Sequence, residues 1–252
     1  MCAYKRRKRN LYSPGSDGFP ISRSKIDLFF ECPRCFYLDR RLGYGRPSMP
    51  GWSLNSAVDE LLKHEFDVYR ERKEPHPLMA EYGIEAVPYQ HAELPIWRDD
   101  VYRYVGASVY DDATGLNIRG IVDDVWINPA GELLIVDYKS TSTRSEISLE
   151  DKYKQGYKRQ MEIYQWIFRK LGYTVNSTGY FVFANGNKDN PMFDARLEFA
   201  MTILAHDGDD AWVGEIVKSI KQVLEADTLP DSGEDCEHCA YRKLIGAEEF
   251  GY

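Results

Sequence analysis

Long apolar runs are missing from this 252-residue chain. None approaches the ~18 residues that a membrane-crossing helix needs, and nothing apolar follows the basic start Lys5-Arg6-Arg7-Lys8-Arg9 as an export signal would require. These absences argue against a membrane-spanning or secreted protein and predict a cytoplasmic one. Repeats and low-complexity segments are also lacking, so the chain reads as one fold and not an array. The five histidines, at 64, 76, 91, 206 and 238, are too scattered to define a site, although His238 lies inside a cysteine pair and is a rival ligand there. Net positive charge is absent as well: 32 basic against 40 acidic residues leave −8, which excludes coating of nucleic acid by a bulk positive field. The first 46 residues nevertheless hold eleven Lys and Arg against four acids, a basic entry arm or a solvated tail on an acidic body.

What is present suffices for a core: 43% of the residues are hydrophobic, enough to close a fold of this size without disulfides. Cysteine is used five times, and four of the five form two Cys-x-x-Cys pairs, Cys32/Cys35 and Cys236/Cys239. Reduced thiols so arranged favour a metal or iron–sulfur site over disulfides; free thiols in a small core are the plainer alternative, and Cys2 is incidental.

Helical spacing is predicted for a short helix after Ser24-Lys25-Ile26-Asp27 that carries the first Cys pair. A longer helix follows over about 53–73, with Leu54, Ala57, Val58, Leu61, Leu62 and Tyr69 on one side. Residues 75–100 are punctuated by proline and carry no assignment. From Tyr102 to Tyr138 the period becomes that of strands: Tyr102–Tyr110, Ile118–Ile127 and Leu133–Tyr138 read as a meander. A helix with Tyr157, Met161, Tyr164, Ile167, Phe168 and Leu171 on its apolar stripe comes next. Strands at Gly179–Ala184 and Arg196–Leu204 and a helix at Asp210–Ala226 complete the order.

Asp137 and Lys139 are two apart at the end of the apolar strand Leu133-Leu134-Ile135-Val136, so both side chains leave one face of a sheet. A carboxylate there can hold Mg²⁺, and an ammonium beside it can orient water or meet charge developing on a phosphate. The same letters occur in Glu71-Arg72-Lys73 and Glu150-Asp151-Lys152, but on predicted helices, where an i, i+2 pair diverges. A surface ion pair on an exposed strand end would look identical in sequence. Asp123, closing Gly120-Ile121-Val122-Asp123, can reach Asp137 across an antiparallel pair, while Asp124 must face the other way. Two carboxylates so close repel unless a cation lies between them. Gln160 and Tyr164, four apart on the following helix, share a face from which an amide and a phenol reach toward the same place; a core Tyr beside a border Gln is the ordinary alternative.

In this order and spacing these motifs resemble the PD-(D/E)XK nuclease superfamily, in its RecB-like branch related to the CRISPR adaptation nucleases. The resemblance runs through Ser22–Leu38, Leu54–Leu62, Gly120–Asp123, Ile135–Lys139, Gln160–Tyr164 and Cys236–Lys243. It implies an α/β, restriction-endonuclease-like core with a mixed sheet flanked by helices. Residues 1–20 would form a flexible basic arm. Residues 21–252 would form a single nuclease-like domain, capped by 21–46 and 230–245 through the cysteines.

The resemblance also implies Mg²⁺- or Mn²⁺-dependent hydrolysis of DNA, as an exonuclease acting on ends or single strands in repair, recombination or defence, with a helicase or similar protein as partner. Asp123, Asp137 and the carbonyl of Tyr138 would hold the metal, Lys139 would position water, and Gln160 and Tyr164 would orient the lysine and the substrate. Where the family carries Gly-x-x-x-His on its early helix, this chain has Asn55 and Asp59. Asp59 is then a candidate ligand that favours Mg²⁺, with Glu65 as a rival on the same helix. Relatives with a [4Fe–4S] cluster place one Cys early and three late, whereas here the division is two and two, with Ile245 near the last position. The resemblance favours iron–sulfur and the spacing leaves Zn²⁺ open. A catalytically silent nuclease fold that binds DNA or a protein, or a zinc-stapled structural protein, is the competing reading.

Overall fold

The structure is a computed structural model that describes residues 4–48, 51, 53–99, 105–151 and 154–250. Cys2, Tyr102 and Lys152, which enter the sequence reading, lie outside the described residues. Along the chain the elements are β1 (Phe19–Ser22), α1 (Arg23–Glu31), α2 (Pro33–Arg40), α3 (Ser53–Arg72), α4 (Pro77–Glu81), β2 (Val87–Pro88), α5 (Leu94–Asp99), β3 (Ala107–Asp111) and β4 (Leu116–Gly120). They continue as β5 (Asp124–Ile127), β6 (Leu133–Thr141), α6 (Gln155–Lys170), β7 (Thr178–Gly186), β8 (Phe199–Asp207), α7 (Val213–Glu225) and α8 (Glu237–Phe250).

The chain divides into two compact units. The first joins Met1–Pro50, Tyr110–Ile118 and Trp212–Tyr252, so both termini belong to it. The single helix expected around Cys32 is two. Cys32 is extended (φ −162°, ψ 103°), which ends α1, and Pro33 starts α2 in the first-turn position that tolerates a missing N–H. The basic run is laid along the segment after α2: the Arg7 N–H donates to the Gly43 carbonyl (2.8 Å), the Tyr12 N–H donates to the Arg40 carbonyl (2.8 Å), and the Arg6 guanidinium sits 5.4 Å from the Tyr44 ring centre. Gly43 (φ +84°) takes a conformation that side chains resist, and a Cβ there would strike the Arg7 carbonyl.

The second unit, Gly51–Val109 and Arg119–Ala211, contains a five-stranded mixed sheet in the order β2-β5-β6-β7-β8. The β6–β7 pair is parallel and the other pairs are antiparallel. Two helices sit on its faces. Leu62 and Phe66 of α3 pack with Trp126, Leu134, Val136, Tyr138, Val182 and Ala184 in one core. On the other face α6 buries Gln160, Met161, Ile163, Tyr164, Ile167 and Phe168. Gly179 and Gly120 let α6 approach, because a Cβ at either would collide with Met161 or with the Tyr164 ring.

Two expectations change here. The long strand predicted at Ile118–Ile127 breaks after Gly120, so β4 pairs in a separate three-stranded sheet, β1-β4-β3, while β5 joins the large one. The stripe expected on α3 is also rotated: Leu62, Phe66 and Arg70 are buried, whereas Leu54 and Leu61 are 62% and 66% exposed. On the buried side Arg70 has a buried partner. Its guanidinium pairs with the fully buried Asp124, whose carboxylate also accepts from the Val125 N–H (2.8 Å), the Tyr138 hydroxyl (2.8 Å) and the Trp126 indole (3.3 Å). Losing one member of such a pair costs ~3–5 kcal/mol, because the other charge is left buried and unpaired. Among the described residues no helix is long and apolar enough to cross a membrane.

Candidate active site

Alternation along β6 sends Val136 and Tyr138 to the α3 face and Asp137 and Lys139 to the α6 face, as a strand period of two requires. Asp137 is fully buried. One of its oxygens accepts from the Gln160 amide (2.6 Å), which also donates to the Tyr164 hydroxyl (3.2 Å); the other oxygen pairs with the Lys139 ammonium. The i, i+4 spacing on α6 thus places the amide and phenol side by side against the strand. Burial pulls the Lys139 pKa down, but the Asp137 and Asp123 carboxylates outweigh it and hold the ammonium above its ordinary value.

Asp123 lies in the bend before β5 and not on a strand. The β5–β6 register pairs Asp124 with Val136, which brings the preceding residue level with Asp137. The Asp123 carboxylate accepts from the Tyr138 N–H at 2.8 Å. Burial and the neighbouring Asp137 charge push its pKa from 3.8 up to about 7. Asp124, one residue on, points to the other face and serves the Arg70 network.

Asp59, on α3, lines the same cavity of about 360 Å³ as Asn55, Asp123, Tyr138, Lys139 and Tyr157. Burial and the charge of Asp123 raise its pKa, against a hydrogen bond from Lys63 (2.9 Å) that lowers it. Asn55, one turn earlier, donates to the Ser140 carbonyl at 3.4 Å. The rival Glu65 instead pairs with His76 Nε2 (2.9 Å) and does not line this cavity. Two residues near the site escaped the sequence reading. Tyr157 places its ring 4.7 Å from the Lys139 ammonium, and Lys63 bridges Asp59. Each was findable, Tyr157 as the residue one turn before Gln160 and Lys63 as the i+4 cation of Asp59.

Two acids, Asp59 from a helix and Asp123 from a bend, thus open onto one cavity with the buried Asp137 of the strand level with Asp123, and at least two of the three resist ionisation together. Hard oxygen donors that repel in this way suit a divalent cation such as Mg²⁺ or Mn²⁺. In the first unit the four cysteines also meet: among the described residues, Cys32, Cys35, Cys236 and Cys239 form a group whose sulfurs all lie within 4.8 Å of one another and which could hold a metal. His238 is not in that group.

The chain matches the model of the PD-(D/E)XK nuclease superfamily over residues 53–244. It belongs to that superfamily. The crystal structure of SSO0001 is similar at 15% identity and a TM-score of 0.41, covering 92% of this chain and 87% of that one. No curated protein matches.

Proposed function

We propose that this protein hydrolyses phosphodiester bonds of DNA in a reaction that needs Mg²⁺ or Mn²⁺, cutting at ends or in single strands in the service of repair, recombination or defence. The observation that supports this reading is the joint opening of Asp123 and Lys139, beside Asp59, onto one cavity, with Asp137 held behind Lys139. Asp123, Asp137 and the Tyr138 carbonyl would hold the cation, with Asp59 as a further ligand. When bound, the cation supplies Lewis-acid polarisation of the phosphate and acidifies water.

The remaining work falls to the chain. Lys139, paired with Asp137 at the cavity, is placed to hold the attacking water by hydrogen bond and to offset charge gathering on the phosphate. Gln160 fixes Asp137 and thereby Lys139. Tyr157 holds its ring 4.7 Å from the ammonium and helps to confine it. An acidic protein can do this because it neutralises phosphate only at the site, and weak affinity for free duplex follows.

The test is cleavage of labelled DNA, linear and circular, single- and double-stranded, with Mg²⁺ against Mn²⁺. Wild type is expected to degrade linear single strands with either ion and Lys139→Ala to leave them intact. Equal cleavage by both proteins, or none by wild type with either ion on any substrate, overturns the proposal.

A further inference from the structure

The thiol cluster of the first unit has a geometry that discriminates between metal centres. The Cys35–Cys236, Cys32–Cys239 and Cys35–Cys239 sulfurs are 3.6, 3.7 and 3.7 Å apart. A tetrahedral zinc ion with Zn–S bonds of ~2.3 Å separates its sulfurs by about 3.8 Å. A four-iron cube gives one thiolate to each iron and spreads the four sulfurs to roughly 6 Å, beyond the 4.8 Å that encloses this whole group. A two-iron cluster divides its thiolates into two separate close pairs. Here the close contacts form a chain, since Cys35 is near both Cys236 and Cys239, and Cys239 is near both Cys35 and Cys32.

Hydrogen-bond donors suited to thiolates are aimed at two of the four sulfurs. The Gly233 N–H (3.3 Å) and the Cys35 N–H (3.4 Å) both donate to Cys32 Sγ, and the Arg46 guanidinium donates to Cys236 Sγ (3.5 Å) and to Glu31 (2.6 Å). Gly233 must lack a side chain to bring its N–H there, because a Cβ would collide with the Glu31 carbonyl. Four thiolates around one Zn²⁺ carry a net charge of −2, and Arg46 offsets part of it. We propose that Cys32, Cys35, Cys236 and Cys239 bind a single tetrahedral zinc ion and not the [4Fe–4S] cluster that the sequence resemblance favours. All four positions are filled by protein, so the ion is a structural staple across the roughly 200 residues between the pairs.

The experiment uses the full chain, expressed in iron-replete medium and purified anaerobically without chelator. Metal and acid-labile sulfide are then measured alongside the visible spectrum. One zinc per chain, no sulfide and a colourless solution are expected. Iron with sulfide, a single iron without sulfide, or five reactive thiols and no metal would each overturn the assignment. Titration of the native protein with an organomercurial in the presence of a zinc indicator needs no folded variant: one zinc should leave as the four cluster thiols react, the fifth thiol, Cys2, titrating without releasing zinc. Exchange with Co²⁺ should give the absorption of a tetrahedral tetrathiolate, and an octahedral spectrum would refute it. None of these readouts depends on DNA cleavage, so this proposal and the nuclease reading fail separately.

Discussion

The acidic cavity and the thiol cluster are both convergences of like-charged groups, yet they are built in opposite ways. The carboxylates come from three elements, α3, the bend before β5, and β6; those of Asp59 and Asp123 open onto a cavity, Asp137 is buried beside Lys139, and lysines 63 and 139 only partly neutralise the group. The thiols come from two turns, with three of the four buried and backbone N–H groups and one arginine aimed at the sulfurs. An open, incompletely satisfied donor set suits an ion that must also meet substrate; a closed, satisfied one suits an ion that only holds the chain together.

The contrast breaks most visibly at Lys139. Lys139→Ala should lower single-turnover cleavage by about 10²–10⁴-fold while zinc content stays at one per chain; a parallel loss of zinc would show that the two sites are not independent. Arg46→Gln should do the reverse, leaving cleavage intact and weakening zinc retention about 10–100-fold in competition with a chelator.

A third test uses pH. Asp123, raised from 3.8 to about 7 by burial and Asp137, binds its proton more tightly folded than unfolded. Without a divalent ion its contribution to stability is therefore full below the unfolded value and is lost as pH rises through about 7. A cation must displace that proton, so calorimetry should find Mn²⁺ affinity rising about tenfold per pH unit below the Asp123 value and levelling above it. A flat profile removes Asp123 from the cation site. The smallest effect is expected at Asp59, where Asn should weaken Mn²⁺ binding about 3–10-fold and shift preference away from Mg²⁺; unchanged binding would leave Asp59 as a partner of Lys63 alone.

Much of the second unit was legible because its signals are local. The period of β6 and the i, i+4 spacing of Gln160 and Tyr164 depend only on backbone geometry, and the fold respects both. Residues 75–100 defeated pattern reading because α4, β2 and α5 are short, from two to six residues, and proline interrupts them. The buried face of α3 misled for a different reason. Its buried side includes Arg70, whose partner Asp124 lies 54 residues away, and no window of apolar residues contains that partner.

The amino-acid order alone determined which side chains travel together: Asp137 with Lys139, Gln160 with Tyr164, each cysteine with its neighbour three residues on. Those pairings follow from repeat distances within one strand, helix or turn, which hold wherever the element lies. Only the tertiary structure decided how the pairs meet. It brought Asp123 level with Asp137 through strand register and seated α3 so that Asp59 lines the same cavity. It also set the spacing of four sulfurs from distant turns, a property of packing between remote segments.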